Sequence, residues 1–472
     1  MQIFPITIII TLVFLLFIRR NLDNGIFLSI ALLPFGMAAL VNLPALGNLS
    51  LLAAQVVAGA TIGLMIFKSF LKGTWTLTFS PDRDEYYVLF LCVYSLFSVI
   101  VLTRLFAGDI YVFPLNGSED GFRVHSLFAS KIELLEPGTS NVSQLFYLFF
   151  SAAFFFLCRM VVRLQGLEFL HSAIVVAAVV NIVIGIIDLA GLDSYLQLIR
   201  TAKYALLNTH EVQGLPRVIG GFSEASAYGG FSSVMTAYFA AHFLCIGGQR
   251  SCLLAILSAS AAVLSFSTTA YLGLSVAGMG LLIGAIWMFS TFGAPIRQLF
   301  FIHAVVLIFL TLIFLIQYSY IPVILLDVLE QILFSKSESV SALERGAWAS
   351  GAIMAFRDSN YLGVGVGSLR GNGLLSVYLG SVGIPGALLF LTIYRRSLTA
   401  IGIGRRSFSS TSQYAIVNAA RLALITKLLV SGVTATTPDP GFLAMLFCAI
   451  LTVSRPILVR TDTNSRKVAV YG

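Results

Sequence analysis

The stretch Leu215-Pro-Arg-Val-Ile-Gly-Gly-Phe-Ser-Glu-Ala-Ser226 lies between two long apolar runs of the chain. It contains a guanidinium group, Arg217, and a carboxylate, Glu224. A second polar stretch of the same character extends from Ala342 to Arg370. Guanidinium groups form paired, charge-assisted hydrogen bonds to phosphate oxygens. In a chain that crosses a membrane, the two stretches therefore indicate a site for a lipid-linked phosphate or diphosphate at the membrane surface.

The composition is that of an integral membrane protein. Of the 472 residues, 58% are hydrophobic and only 11% are charged, whereas a soluble protein has about 25% charged residues. We therefore predict a single integral membrane domain over residues 1–472. The net charge of +8 lies mostly in short loops, where it sets the orientation of the chain and does not indicate a nucleic-acid partner. The five cysteines fall in or beside apolar runs, so neither a disulfide framework nor a zinc site is expected.

Hydropathy predicts an all-α polytopic fold. A membrane-spanning helix needs about 20 apolar residues, and about 13 such runs are present, which predicts about 12 to 14 transmembrane helices. The first run has no positive segment before it, so it is predicted to be a span with its amino terminus outside and not a cleaved signal peptide. The predicted spans are 2–18, 25–46, 49–67, 86–106, 144–162, 169–191, 225–247, 251–267, 269–290, 298–319, 372–394, 414–434 and 440–456.

The distribution of basic residues predicts the orientation of these spans. Loops rich in lysine and arginine face the cytoplasm, and here they alternate with three longer loops that are poorer in basic residues for their length. The longer loops, residues 108–143, 192–224 and 320–371, are predicted to lie outside, and the last two form the predicted active site. The basic residues assigned to the inner loops are Arg19, Arg20, Lys68, Lys72, Arg159, Arg163, Arg250, Arg297, Arg395, Arg396, Arg405 and Arg406.

The segment before residue 225 has the features of an anion site. Gly220 and Gly221 allow a tight turn, and glycine lets backbone N–H groups approach a ligand. The helix that follows Glu224 would begin at the outer interface, where its positive dipole end favours an anion. Arg217 would then bind the substrate diphosphate. The alternative is an interfacial arginine that extends toward lipid headgroups.

The second polar stretch adds further candidate cations. If residues 342–357 are helical, Arg345 and Trp348 share one face, so that the indole anchors the helix at the interface while Arg345 points at a phosphate. Arg357 is a further candidate for diphosphate binding, with a local salt bridge to Asp358 or a headgroup contact as alternatives. The glycine-rich turn at residues 363–368 does not indicate a dinucleotide site, because no βαβ unit can surround it in a helical membrane protein.

Three groups are candidates for the general base. Glu224 is close in sequence to Arg217, His210 precedes it by a few residues, and Asp358 follows the second arginine. A solvated loop histidine is the alternative for His210. One further charge, Lys427, lies inside an apolar run, and intramembrane charges indicate function by default. It could pair with Asp439 or face a lipid diphosphate.

The pattern Asp82-Arg-Asp84-Glu85 is of the kind that metal-dependent glycosyltransferases use. Here it is predicted to be a solvated cytoplasmic loop that begins the span at Tyr86, and a metal site is the less favoured alternative. No other carboxylate, histidine or cysteine cluster has the spacing of metal ligands, so neither a metal nor a cofactor is expected.

Three motifs resemble those of the O-antigen polymerase and ligase superfamily, the bacterial membrane glycosyltransferases of the GT-C type. They are Arg217-x-x-Gly-Gly-Phe-Ser-Glu-Ala-Ser, Arg345-x-x-Trp348 followed by Gly363-x-Gly-x-Gly, and Gly383-Ile-Pro-Gly386 inside an apolar run. Each motif is short, so the resemblance depends on their order and on the number of apolar segments around them. It covers roughly residues 215–395.

The resemblance implies transfer of a glycan from an undecaprenyl-diphosphate carrier to an acceptor at the periplasmic face of the bacterial inner membrane, without a metal. Ligases of the family carry a histidine ahead of a Gly-x-x-Gly motif, and alignment on Gly383 and Gly386 puts Asn372 at that position. This departure favours the polymerases of O-antigen, capsule or exopolysaccharide, with membrane lipids and a chain-length regulator as further partners. A ligase or protein O-glycosyltransferase is the nearest alternative, and a lipid-linked oligosaccharide flippase or solute transporter is the alternative of a different class.

Overall fold

A computed structural model describes residues 2–46, 49–71, 81–115, 121–202, 211–212, 215–292, 340–399 and 410–453. These residues are mostly helical. A π-helical turn at Ser98–Leu102 joins the helices Arg83–Phe97 and Thr103–Leu105 without a break. The helices are α1 (Ile6–Ile18), α2 (Asn24–Ala31), α3 (Ala53–Leu71), α4 (Arg83–Phe97), α5 (Thr103–Leu105), α6 (Thr139–Gln165), α7 (Leu167–Leu189), α8 (Asp193–Leu196), α9 (Ala225–Ile246), α10 (Gln249–Leu264), α11 (Thr268–Phe292), α12 (Val340–Asp358), α13 (Leu374–Leu398), α14 (Thr411–Thr434) and α15 (Gly441–Val453).

Eight helices within the described ranges are long and apolar enough to cross a membrane. They are Ala53–Leu71, Arg83–Leu105, Thr139–Gln165, Leu167–Leu189, Ala225–Ile246, Thr268–Ile286, Leu374–Leu398 and Thr411–Thr434. The helices α1, α10 and α15 are also apolar but shorter. The prediction of a helical chain that crosses a membrane several times agrees with this architecture. The predicted span 298–319 lies outside the described residues.

The predicted span 25–46 is wrong. Helix α2 ends at Ala31, and the chain then turns and pairs as strand β2 (Ala39–Leu43) in a small antiparallel sheet. Proline has no N–H to continue a helix, and Pro34 follows α2 closely. The flanking strands are β1 (Gln2–Ile3) and β3 (Leu49–Leu52). Two small hairpins, β4 (Tyr111–Val112) with β5 (Glu133–Leu134) and β6 (Glu211–Val212) with β7 (Leu215–Pro216), also depart from the all-α prediction.

Helix α13 is broken at Gly383, where φ is +62°, and Pro385 follows two residues later. A break in a membrane helix leaves backbone carbonyls that need other donors. The N–H groups of Val364 and Gly365 donate to the carbonyls of Gly380 and Ser381, both at 2.9 Å. The glycine-rich turn after α12 thus fills the break, which gives that motif a structural explanation.

Gly383→Ala should strongly destabilise the protein. A β-carbon there would lie 2.3 Å from the Leu362 carbonyl. The backbone at Leu362 could not move away, and Gly383 could not change its positive φ, without loss of the packing around the break. We expect a loss of about 2 kcal/mol or more, seen as a lower melting temperature in detergent. Gly284→Ala is the control, because an added β-carbon there meets nothing within 4 Å inside α11. Equal melting temperatures of the two variants would contradict this account of the break.

The start of α4 lies at the end of the bundle opposite to the start of α9. Three carboxylates are found there, those of Asp82, Asp84 and Glu85. The Asp82 carboxylate accepts hydrogen bonds from the N–H groups of Asp84 and Glu85 at 3.0 and 3.1 Å. The Glu85 carboxylate in turn accepts a hydrogen bond from the N–H of Asp82. This capping box fixes the start of the helix. The predicted solvated loop is wrong, because Glu85 is only 4% exposed and Asp84 only 9%.

Arginines from two other helices neutralise these carboxylates. Arg159 of α6 is fully buried, and its Nε lies 3.0 Å from Glu85; it also pairs with Asp82. Arg163 reaches the same glutamate at 2.9 Å, and Arg396 of α13 pairs with Asp84. The ion-pair cluster formed by these residues joins α4, α6 and α13, so its carboxylates are already neutralised by arginines.

Candidate functional site

A cavity of about 380 Å³ opens at the end of the bundle where α9 begins and α14 ends, which we call the site end. Four charged or amide side chains line it, and they come from α3, the start of α9, α14 and the loop before α15. These are Gln55, Glu224, Lys427 and Asp439. The rest of the wall is mostly apolar, and includes Leu32, Leu33, Phe222, Phe231 and Phe442. The cavity therefore combines a mostly apolar wall with a few convergent charged groups, which is the usual character of a ligand site.

Two arginines and one carboxylate beside this cavity interact electrostatically. Arg345 Nη2 lies 3.9 Å from Glu224 Oε2, and each side chain is about one third exposed, at 35% and 34%. Burial lowers the pKa of the Arg217 guanidinium; the Glu224 carboxylate opposes that shift and the charge of Arg345 adds to it. The structure thus brings the two predicted arginines to one glutamate, although they are far apart in sequence. We call these three residues the arginine cluster.

Arg217 is held by the backbone of a neighbouring connection. Its Nε donates to the carbonyl of Ser265 at 3.3 Å, in the turn between α10 and α11. Glu224 is the residue directly before α9, and its side chain accepts a hydrogen bond from Ser226 and not from the free N–H groups of the helix. The start of α9 therefore presents its positive dipole end close to the arginine cluster.

A second ion pair, which sequence reasoning missed, fixes the loop that carries Arg217. The Asp188 carboxylate accepts hydrogen bonds from the N–H groups of Ile219 and Gly220 at 2.7 and 2.9 Å. Arg200 pairs with Asp188 at 2.5 Å and donates to the Gly220 carbonyl. An aspartate near the end of an apolar run is a signal that could have indicated this role.

The two predicted motif glycines are needed for close packing of this loop. Gly220 has φ +57°, and a β-carbon on it would lie 2.7 Å from the Tyr228 ring. A β-carbon on Gly221 would lie 2.4 Å from the Pro34 carbonyl oxygen. Since the N–H of Gly220 already donates to Asp188, that amide is used within the protein.

Helix α12 carries Arg345 and is anchored through Trp348. The indole Nε1 donates to Ser130 Oγ at 3.1 Å, and the guanidinium of Arg370 stacks on the indole 4.9 Å from the ring centre. Glu344 accepts a hydrogen bond from the N–H of Ser130 at 2.6 Å. The tryptophan predicted to face the membrane interface therefore contacts the 108–143 loop, and Arg370 is a partner that the sequence did not reveal.

Arg357 and Asp358 lie away from the arginine cluster. They are the last residues of α12 and both are exposed, about 18 Å along the helix from Arg345 by its rise per residue. Neighbouring positions on a helix point in different directions, and no ion pair joins these two described side chains. The remaining predicted base, His210, lies outside the described residues.

The other motif residues belong to the packing around α13. The residue before Asn372 and the residue after it donate backbone hydrogen bonds to the carbonyls of Thr436 and Ala435, and Asn372 does not line the cavity. A β-carbon on Gly386 would lie 3.0 Å from the Tyr94 ring. These positions therefore fix the loop between α14 and α15 and the packing of α13 on α4.

Lys427 and Asp439 line the same cavity and interact electrostatically. Both are half-buried, and the N–H of Gly441 donates to Asp439 Oδ1 at 3.1 Å. Burial raises the pKa of the Asp439 carboxyl to about 6, and the positive charge of Lys427 opposes this shift. Among the described residues, no group of three or more histidine, cysteine, aspartate or glutamate side chains is arranged to hold a metal ion.

No protein-family model matches the chain, and neither a curated protein nor a solved structure is detectably similar to it. The helices and the cavity define the class, a multi-pass membrane protein with a charged cavity at one end of its bundle. The resemblance to the polymerase and ligase superfamily therefore depends only on the three motifs quoted above.

Proposed function

We propose that the chain polymerises polyprenyl-diphosphate-linked oligosaccharides into a surface polysaccharide. The observation that supports this most is the arginine cluster beside an apolar-walled cavity. Two guanidinium groups suit the oxygens of a diphosphate, while the apolar wall suits the first isoprene units of its lipid. Lys427 adds a third positive charge deeper in the same cavity.

The reaction is attack by a sugar hydroxyl of one lipid-linked glycan on the anomeric carbon of another. A new C–O bond forms, the bond from that carbon to the diphosphate breaks, and the hydroxyl loses its proton. Negative charge grows on the departing diphosphate, so Arg217 and Arg345 would stabilise the transition state more than the ground state. Binding both glycans at one site also lowers the barrier, because it holds the hydroxyl and the anomeric carbon in the orientation that the reaction needs.

The proposed location is the bacterial inner membrane, with the site end in the periplasm. This orientation is supported by the basic residues at the other end of the bundle, among them Arg163 and Arg395. The proposed partners are a donor and an acceptor linked to undecaprenyl diphosphate, membrane lipids and a chain-length regulator. A ligase would share every step and differ only in its acceptor.

Transport of a lipid-linked oligosaccharide is the second candidate function. Transporters use broken helices and ionisable groups within the membrane, and the chain has both, in the break at Gly383 and in Lys427. The arginine cluster at the site end favours the enzyme, because a transported headgroup must also be released from the opposite side.

The experiment that separates these candidates uses purified protein in detergent with EDTA present. The substrate is the lipid-linked oligosaccharide extracted from cells in which the gene for this chain is deleted. We expect a ladder of products spaced by whole repeat units and release of polyprenyl diphosphate. Transfer of the extracted lipid between leaflets of proteoliposomes, with no ladder, would replace the polymerase by a flippase.

A further inference from the structure

The cavity holds two carboxylates, and their surroundings differ. Glu224 lies 3.9 Å from Arg345, influences Arg217, and accepts a hydrogen bond from Ser226. The Glu224 carboxylate is therefore engaged by Arg345 and Ser226 within the folded chain.

Asp439 has different partners. The N–H of Gly441 donates to its carboxylate, Ser151 of α6 also interacts with it, and no ion pair within 4 Å is found for it among the described residues. Burial raises the pKa of this carboxyl to about 6. A general base is most effective when its pKa lies near the working pH, because it is then ionised and still strongly basic.

We infer that Asp439 is the group that removes the proton from the acceptor hydroxyl, and that Lys427 keeps this carboxylate ionised until it does so. The inference rests on the proposed function. In the step, the hydroxyl oxygen forms its bond to the anomeric carbon and its proton moves to an Asp439 oxygen. The electron pair of the broken C–O bond leaves with the diphosphate, which the arginine cluster receives.

The geometry of the cavity supports this division of roles. Glu224 and Asp439 line the same space but come from different elements, the start of α9 and the loop before α15. A diphosphate at the arginine cluster and an acceptor hydroxyl at Asp439 would therefore be held by different elements of one cavity.

Several other groups influence the Asp439 carboxylate and must be considered in any pH experiment. Lys427 of α14 is a positive charge that acts on it, and Ser151 of α6 also interacts with it. From α13, the hydroxyl groups of Tyr378 and Tyr394 are electrostatically coupled to it and hydrogen-bond to each other at 2.8 Å. Only the aspartate is expected to titrate near pH 6.

The test compares single-turnover rates of the unaltered chain with those of Asp439→Asn and Glu224→Gln across a range of pH, with the extracted lipid-linked oligosaccharide as substrate. The unaltered chain should lose activity as the pH falls through about 6. Asp439→Asn should lower the rate by about 100-fold or more and abolish that loss at low pH. Asparagine also accepts a hydrogen bond from the N–H at a helix start. The melting temperature of the Asp439→Asn variant should therefore be unchanged.

Lys427→Met gives an independent readout that a structural role would not produce. Removing the positive charge removes the interaction that favours the ionised carboxylate, so the loss of activity at low pH should begin at a higher pH. Glu224→Gln should keep the pH profile of the unaltered chain even if its rate is lower. The pH dependence of the rate would then be set by the residue that acts as the base, and not by how fast a variant reacts.

Two outcomes would overturn the inference while leaving the polymerase proposal intact. One is an Asp439→Asn variant with the rate and pH profile of the unaltered chain. The other is loss of the low-pH dependence in Glu224→Gln instead, which would assign the base to that residue. If the unaltered chain gives no polymer from the extracted lipid, the proposed function fails, and the assignment of the base fails with it.

Discussion

Replacing Arg345 with alanine should lower the rate of polymer formation by a factor of about 100 to 1000, while the protein stays folded in the membrane. The reason is that Arg345 is one third exposed and lies beside the cavity, and among the described residues its one ion pair is with Glu224. Its charge is then available to a diphosphate. The same loss is expected for Arg217→Ala, since the two guanidinium groups flank one carboxylate.

The matched control is Arg123→Ala. Arg123 is an exposed arginine in the 108–143 loop, so its removal changes the net charge equally without touching the arginine cluster. The measurements are the repeat-unit ladder made from the extracted lipid and the amount of protein in the membrane fraction. Normal polymer from both Arg217→Ala and Arg345→Ala would remove the basis for the assignment.

Replacing Arg159 with alanine should unfold or strongly destabilise the protein, by about 3–5 kcal/mol. This arginine is fully buried, and without it the buried carboxylate of Glu85 loses its 3.0 Å partner. Removing one member of a buried ion pair costs much more than the pair itself contributes, and here Glu85 would keep only the half-exposed Arg163 as its partner. Thermal unfolding in detergent and the yield of monodisperse protein measure the effect.

The same cluster provides its own control. Arg163 bonds to the same glutamate at 2.9 Å but is 46% exposed, so Arg163→Ala should cost about 1 kcal/mol or less. Substituting both members, Arg159→Met with Glu85→Leu, should recover much of the lost stability, because no charge is then left without a partner. A double variant as unstable as Arg159→Ala would show that packing, and not charge, is responsible.

The sequence predicted most of the helices because an apolar run of sufficient length has few alternatives in a membrane. It failed at residues 25–46, where overall hydropathy was high but Pro34 ends the helix and a strand follows. Hydropathy averaged over a window does not distinguish a buried strand from a helix. Only the pairing of β2 with β1 and β3 shows the difference.

The arginine cluster was predictable from chemistry, because each of its members is a charge in a polar stretch that interrupts the apolar runs. The supports of the site were less predictable, since they depend on contacts distant in sequence. Asp188 and Arg200 show their role only in the folded chain, where Arg200 and the N–H of Ile219 bond to the Asp188 carboxylate of α7. Asp439 was noticed only as a partner for Lys427, and its place in the cavity beside Glu224 follows from the packing of α9, α14 and α15.

The ion-pair cluster at the opposite end has a consequence for how a lipid could reach the cavity. It ties together α4, α6 and α13, and none of these three helices contributes to the cavity wall. The wall is built from the turn after α2, the start of α3, α9, α14 and α15. Under the proposed function, a polyprenyl chain that enters from the bilayer would pass between the wall helices and not between the three helices that the ion pairs join.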